Sequence, residues 1–240
     1  MSSSAPIGVL DSGIGGTTTL GKMRELMPHE DFFYYGDTRN NPYGEKSQEE
    51  LEGILSEICD FLIRDKNVKM IVVACNTATT RCIGFLRDKY PDVPFVGTEP
   101  AVKAACDSGA ENILVLATPG TVESERMAEL VRDNRDAGQN ITLLGCPGLA
   151  DAIESKDAAR ISRKLTETLG RKVHEKYDAV VLGCTHYILI RDEIQRLYPE
   201  ARIIDGNEGI ARRVQEVLAE RGLANPSVKN GKIEQFFTEK

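Results

Sequence analysis

Short runs of Val, Ile and Leu alternate with longer segments of helical period along all 240 residues, and no other feature constrains the fold as tightly. A strand buried on both faces reads as a continuous apolar run, and parallel strands need a crossover that a helix supplies. The pattern predicts an α/β chain. The strands expected are 7–10, 31–35, 69–74, 93–97, 112–117, 141–145, 178–182, 201–204 and 232–237. The helices expected are 15–27, 47–66, 77–90, 99–108, 120–137, 157–176, 187–198 and 206–221. The helix at 47 carries the fullest signature: Ser47 and Glu50 stand as a capping box, and Leu51, Ile54, Leu55, Ile58 and Leu62 follow on one face.

The chain also repeats itself. Residues 7–16, IGVLDSGIGG, match 113–122, ILVLATPGTV, and residues 70–80, MIVVACNTATT, match 179–189, AVVLGCTHYIL. The displacements are 106 and 109 residues, and two matches so nearly in register imply two α/β halves of similar build. Each half has a polar turn after its first strand and a cysteine closing a later, buried strand.

Several function classes drop out. The 30 basic and 37 acidic residues are intermixed and sum to −7, so there is no basic stripe to track a phosphate backbone and nucleic acid is not an expected partner. Apolar runs such as 70–75 fall far short of the roughly 18 residues that span a bilayer, and the opening MSSSAPIGVLDSG has no positive segment followed by an apolar one. A soluble, cytoplasmic protein with no membrane partner is expected. The six cysteines, at 59, 75, 82, 106, 146 and 184, include no CxxC, and the one close Cys/His pair is Cys184 with His186. Neither a disulfide framework nor a metal site is expected.

Open parallel sheets bind ligands outside the carboxyl ends of their strands, where loops lead into helix starts. Four motifs fall there: Asp11-Ser12-Gly13, Cys75-Asn76-Thr77, Thr118-Pro119-Gly120-Thr121 and Cys184-Thr185-His186. If the halves present these ends to each other, Cys75 and Cys184 reach a shared cleft from opposite sides. Such an arrangement suits removal of a proton from one face of a carbon and its return to the other. A free thiol has a pKa of roughly 8.5, which a helix N-terminus brings nearer neutrality. Asp11 and His186 are candidate proton partners. The plainer alternatives are that both cysteines are buried filler, as expected of Cys59, Cys82, Cys106 and Cys146, and that Asp11 is a turn residue. The polar loop 36–44, ending in Tyr43 and Gly44, is either a connector or a substrate contact. Gly16 to Lys22 fits GxxxxGK, but Met23 cannot supply the hydroxyl a phosphate-binding loop needs next.

On these residues the sequence resembles the glutamate racemases of the cofactor-independent aspartate/glutamate racemase superfamily. The resemblance is carried by DSGIGG, GDTRNNPYGEKS, VVACNTAT, LATPGTVES, CPGLADAIE, LGCTHY and QFFTEK, which together cover nearly the whole chain. It implies two similar three-layer α/β domains with mainly parallel sheets and an active site in the cleft between them. Residues 1–98 with 208–240 would form the first domain and 99–207 the second. It further implies interconversion of L- and D-glutamate without pyridoxal phosphate or any other cofactor, Cys75 and Cys184 alternating as base and acid, and Asp11, Glu154 and His186 assisting. The implied substrate contacts are Asp11, Ser12, Tyr43, Gly44, Asn76, Thr77, Thr118, Thr121, Thr185 and His186. A homodimer supplying D-glutamate for peptidoglycan completes the expectation. Thr17 to Thr19, Met127 and Ile188 depart from the residues common in the family. The nearest alternative is the same two-thiol reaction on aspartate or another acidic amino acid; the alternative of a different class is a non-catalytic amino-acid-binding protein.

Overall fold

Through Thr98 the chain runs β1 (Ile7–Asp11), α1 (Thr17–Leu26), β2 (Phe32–Gly36), α2 (Gln48–Arg64), β3 (Met70–Val73), α3 (Asn76–Lys89) and β4 (Phe95–Gly97). A second unit, Glu99–Gly206, follows with α4 (Val102–Asp107), β5 (Asn112–Ala117), α5 (Pro119–Val122), α6 (Glu125–Asn134), β6 (Asn140–Gly145) and α7 (Leu149–Glu154). It continues with α8 (Ala158–Leu169), β7 (Ala179–Gly183), α9 (Thr185–Ile188), α10 (Arg191–Leu197) and β8 (Arg202–Ile204). The chain then returns to the first unit with α11 (Asn207–Glu220) and β9 (Ile233–Phe237), so Asn207 belongs with the first unit. The computed structural model describes residues 2–239.

In the first unit the strand order is β4-β3-β1-β2-β9, and every pairing is parallel. Successive side chains of a strand point to opposite faces. Ile7 and Val9, with Phe32, Tyr34, Met70 and Val72, pack against α1 and α11 on one face. Leu10, Phe33, Ile71 and Val73 pack against α2 and α3 on the other. Both faces are covered, which is why these strands read as unbroken apolar runs rather than as alternation.

The second unit repeats the plan. Its sheet, read from β8, is β8-β7-β5-β6, again all parallel, the same order as β4-β3-β1-β2. Leu114, Leu116, Val180 and Leu182 face a core built with α7 to α10, and Ile113, Val115, Ala179 and Val181 face one built with α4 and α6. The repeat read in the sequence is thus a repeat of topology.

Helix ends follow local chemistry. The capping box of α2 is formed in both directions, Ser47 Oγ accepting from the Glu50 N–H at 3.2 Å and Glu50 accepting from the Ser47 N–H at 2.7 Å. The single helix expected over 120–137 is instead two, because Thr118 caps α5 and Ser124 caps α6, each through its own hydroxyl. The helix expected over 157–176 ends at Leu169, where Gly170 takes a positive φ of 48° and a 3₁₀ segment, Gly170–His174, follows. The helix expected from 187 begins two residues earlier as α9 and restarts as α10. Helix α7 was not expected, since six residues offer too little periodicity to register. Among the described residues no helix is long and apolar enough to cross a membrane.

Candidate active site

In the first unit, β1 and β3 pair with Leu10 against Val73, and the Ala74 N–H donates to the Leu10 carbonyl at 2.8 Å. This register brings the residues just beyond the strand ends together. The Cys75 thiol donates to Ser12 Oγ at 3.8 Å. Cys75 itself, 5% exposed, has extended backbone and caps the start of the fourteen-residue α3, whose positive dipole end favours a thiolate.

Asp11 is fully buried, and its Oδ2 accepts the Gly13 N–H at 3.3 Å and the Gly16 N–H at 2.9 Å. The carboxylate therefore fixes the turn into α1. Gly16 has to be glycine for this, because a Cβ there would lie 2.7 Å from Asp11 Cβ. Gly16 opens α1, and Lys22 pairs with Glu25 on that helix, so GxxxxGK here is a helix start and not a phosphate cradle.

The loop after β2 carries two further groups. The Tyr43 hydroxyl donates to Asp37 Oδ2 at 2.8 Å, and Asn40 Nδ2 donates to both oxygens of the same carboxyl, at 3.1 and 2.9 Å. Burial, then Asp37, pushes the Tyr43 hydroxyl well above its usual pKa, with smaller contributions from Cys75 and Asp11 that place all three in one neighbourhood. Gly44 lies in the 3₁₀ turn Tyr43–Glu45. Asn76 and Thr77 are buried in the first turn of α3, and Asn76 Oδ1 is a buried acceptor with no hydrogen-bond partner among the described residues. A polar ligand would satisfy it.

In the second unit, Ala117 and Gly183 are register partners at the ends of β5 and β7, so Thr118 and Cys184 begin adjacent loops. Thr118 Oγ1 accepts the Thr121 N–H at 3.3 Å, and the two hydroxyls lie 2.9 Å apart. Cys184, 7% exposed and again in extended backbone, caps α9. Its sulfur lies 3.9 Å from His186 Nδ1, and His186 Nε2 lies 2.6 Å from Glu154 Oε2 at the end of α7. A carboxylate on Nε2 favours the proton there, so that in the neutral ring Nδ1 presents its lone pair to the thiol. The His186 and Glu154 side chains are 1% and 7% exposed. Thr185 is buried beside them in the chain.

The other cysteines sit differently. Burial pushes Cys59 and Cys146 up to about 12 and Cys82 up to about 11, and raises Cys106 as well. Among the described residues no three His, Cys, Asp or Glu side chains group as metal ligands. The structure thus gathers Asp11, Ser12, Tyr43 and Cys75 in one unit and Glu154, Cys184 and His186 in the other, with Thr118 and Thr121 on the strand end next to Cys184. Asp37 and Asn40 were not singled out in the sequence; the signal available was a polar cluster directly after the Gly that ends β2.

A family model described as Asp/Glu/hydantoin racemase matches residues 18–214. The chain is 38% identical over 238 residues to a glutamate racemase from Clostridium perfringens, covering 97% of this chain and 90% of that protein. It is 39% identical over 247 residues to one from Bifidobacterium longum, covering 98% and 92%. Among solved structures it is similar to a glutamate racemase isoform of Bacillus anthracis, with a TM-score of 0.84 and 29% identity over 98% of this chain and 89% of the other. It is also similar to the Escherichia coli glutamate racemase in complex with L-glutamate and the activator UDP-MurNAc-Ala, with a TM-score of 0.81 and 31% identity over 96% and 89%.

Proposed function

Since the chain belongs to the Asp/Glu/hydantoin racemase family, we propose that it interconverts L- and D-glutamate by two-base proton transfer at Cα. One observation carries the mechanism. Two cysteines occupy equivalent strand ends in two repeated units, and each lies within hydrogen-bonding distance of a polar neighbour, Ser12 for Cys75 and His186 for Cys184. In one direction a thiolate removes the α-proton while the other thiol gives a proton to the opposite face; in the reverse direction the two exchange roles. No net proton or electron is consumed, so no redox partner is needed.

The groups proposed to hold glutamate are Asp11, Ser12, Tyr43, Gly44, Asn76, Thr77, Thr118, Thr121, Thr185 and His186. Most are neutral hydroxyls, amides and backbone N–H groups at helix starts, which orient carboxylates without an ion pair that would immobilise the substrate. His186, fixed by Glu154, relays protons to and from Cys184. The product would supply D-glutamate for peptidoglycan, and the enzyme would act in the cytoplasm as a homodimer, which sedimentation velocity would check.

The test uses both enantiomers of glutamate and of aspartate, followed by optical rotation, with α-proton exchange read in heavy water. The wild type should equilibrate glutamate from either side, faster than aspartate. Cys75→Ala and Cys184→Ala should each abolish racemisation with far-UV circular dichroism unchanged. Failure of the wild type to racemise glutamate would overturn the substrate assignment, and a racemising single mutant would overturn the two-base mechanism.

A further inference from the structure

The strands β1, β2 and β9 lie side by side with Asp11, Gly36 and Phe237 in register. One residue further on, the backbone continues the lattice: the Asp37 N–H donates to the Asp11 carbonyl at 2.9 Å, and the Thr238 N–H donates to the Gly36 carbonyl at 3.0 Å. Thr238 then binds the loop after β2 with its side chain and carbonyl. Its hydroxyl donates to Asp37 Oδ1 at 3.0 Å and accepts the Arg39 N–H at 2.9 Å, while the Thr38 hydroxyl donates to its carbonyl. The Asp37 carboxyl, 1% exposed, takes this contact on Oδ1 and the Tyr43 hydroxyl on Oδ2, with Asn40 Nδ2 donating to both oxygens.

A loop whose sole regular element is the short turn Tyr43–Glu45 draws its position from such contacts. We propose that Thr238 is a positioning residue, which orients the Asp37 carboxyl so that Tyr43 is held for substrate. The inference rests on the reading of Tyr43 as a substrate contact. Removing the Thr238 hydroxyl strips one donor from Asp37 and the acceptor from the Arg39 N–H, and the carboxyl, left with Asn40 as the other donor on Oδ1, is held less firmly against Tyr43. Asp37 and Thr238 touch no reacting atom; their effect passes through the Tyr43 side chain.

The experiment compares Thr238→Val and Thr238→Ser. T238V keeps shape and loses the hydroxyl, and it should raise KM for glutamate about 3- to 10-fold, the value of one buried hydrogen bond, with kcat within about two-fold. T238S should restore most of the KM. In a Tyr43→Phe background T238V should add nothing, because the link it acts through is gone. A second readout is independent of turnover: with tyrosine labelled at Cζ, the Tyr43 signal should shift in T238V and in Asp37→Asn but not in T238S. An unchanged KM in T238V, or the same rise with and without the Tyr43 hydroxyl, would overturn the proposal. If the wild type does not racemise glutamate, the functional reading falls, and the Tyr43 signal alone decides: no shift in T238V overturns the positioning role. Should T238V not fold, Thr238→Ala gives the same comparison with less bulk.

Discussion

Lys69→Met should destabilise the first unit by about 3–5 kcal/mol, the cost of removing one partner from a buried ion pair. Lys69 is fully buried, and its ammonium donates to Glu30 Oε2 at 2.5 Å and to the Ser3 carbonyl at 2.5 Å. Glu30, 5% exposed, has its other oxygen on the Asn225 N–H at 2.7 Å. Methionine replaces the aliphatic stem but no donor. The Ser3 carbonyl then loses one hydrogen bond, worth about 1 kcal/mol, and the larger part of the loss is a carboxylate left buried with a single neutral donor. At roughly 2–4 °C per kcal/mol for a chain of this size, the melting temperature should fall by about 6–20 °C. The double variant Lys69→Met with Glu30→Leu buries no stranded charge and should cost less than K69M alone. Urea unfolding followed by circular dichroism measures both. Lys69 precedes β3 and Cys75 follows it, about 20 Å away at 3.3 Å per residue, so kcat per folded molecule should not change. A K69M variant melting within about 2 °C of wild type, or a double variant as costly as the summed singles, would refute the argument.

The buried thiols set an alkaline limit. An unfolded cysteine ionises near 9.0, whereas Cys59 and Cys146 hold their protons to about 12, so above pH 9 the unfolded state binds fewer protons and stability falls with rising pH until about 12. The slope should be about 1.4 kcal/mol per pH unit for each thiol, and Cys59→Ala should remove one such increment from unfolding curves taken at pH 9 to 11. For the proposed proton partners, Asp11→Asn keeps an oxygen for the Gly13 and Gly16 amides and His186→Asn breaks the line from Cys184 to Glu154, so both should fold and lose kcat. The losses should differ between the two directions, with KM compensating so that the equilibrium constant stays at one; identical changes from both enantiomers would return these residues to substrate-binding or structural roles.

The sequence made the strands legible because the sheets are covered on both faces, so composition alone marks each run, as at Met70–Val73 and Ala179–Gly183. Cys75 and Cys184 were legible because the repeat put a thiol at the same strand end twice. Glu154 entered only through resemblance: it stands on α7, a helix too short for periodicity to reveal, and its bond to His186 spans 32 residues. The contact between Asp37 and Thr238 was invisible for a stronger reason. Their meeting depends on β9 returning beside β2 across 201 residues, a pairing that no local propensity encodes. Helix breaks at 118–125 were missed because a hydroxyl cap inside an otherwise helical run counts as polar face until its acceptor geometry is seen.

The two units keep one backbone plan and diverge in what supports the chemistry. Under the repeat, Cys75 corresponds to Cys184 and Ser12 to Thr118, but Asp11 corresponds to Ala117 and His186 to Thr77. The carboxylate of one half and the imidazole of the other therefore have no counterparts under the repeat. The difference continues into the loops after β2 and β6, which end at equivalent glycines, Gly36 and Gly145. In the first unit an extra strand, β9, lies beyond β2, and its Thr238 ties down the loop that carries Tyr43. The second unit has β6 at the sheet edge, and the chain after it turns through Gly148, at a φ of 68°, into α7, which delivers Glu154 to His186. An added edge strand in one half and an added short helix in the other each contribute a polar contact from outside the repeated core: Thr238 donates to Asp37, the acceptor of the Tyr43 hydroxyl, and Glu154 binds His186. The repeated topology sets the two thiols at matching strand ends, and the unrepeated pieces, β9 and α7, make their surroundings unequal.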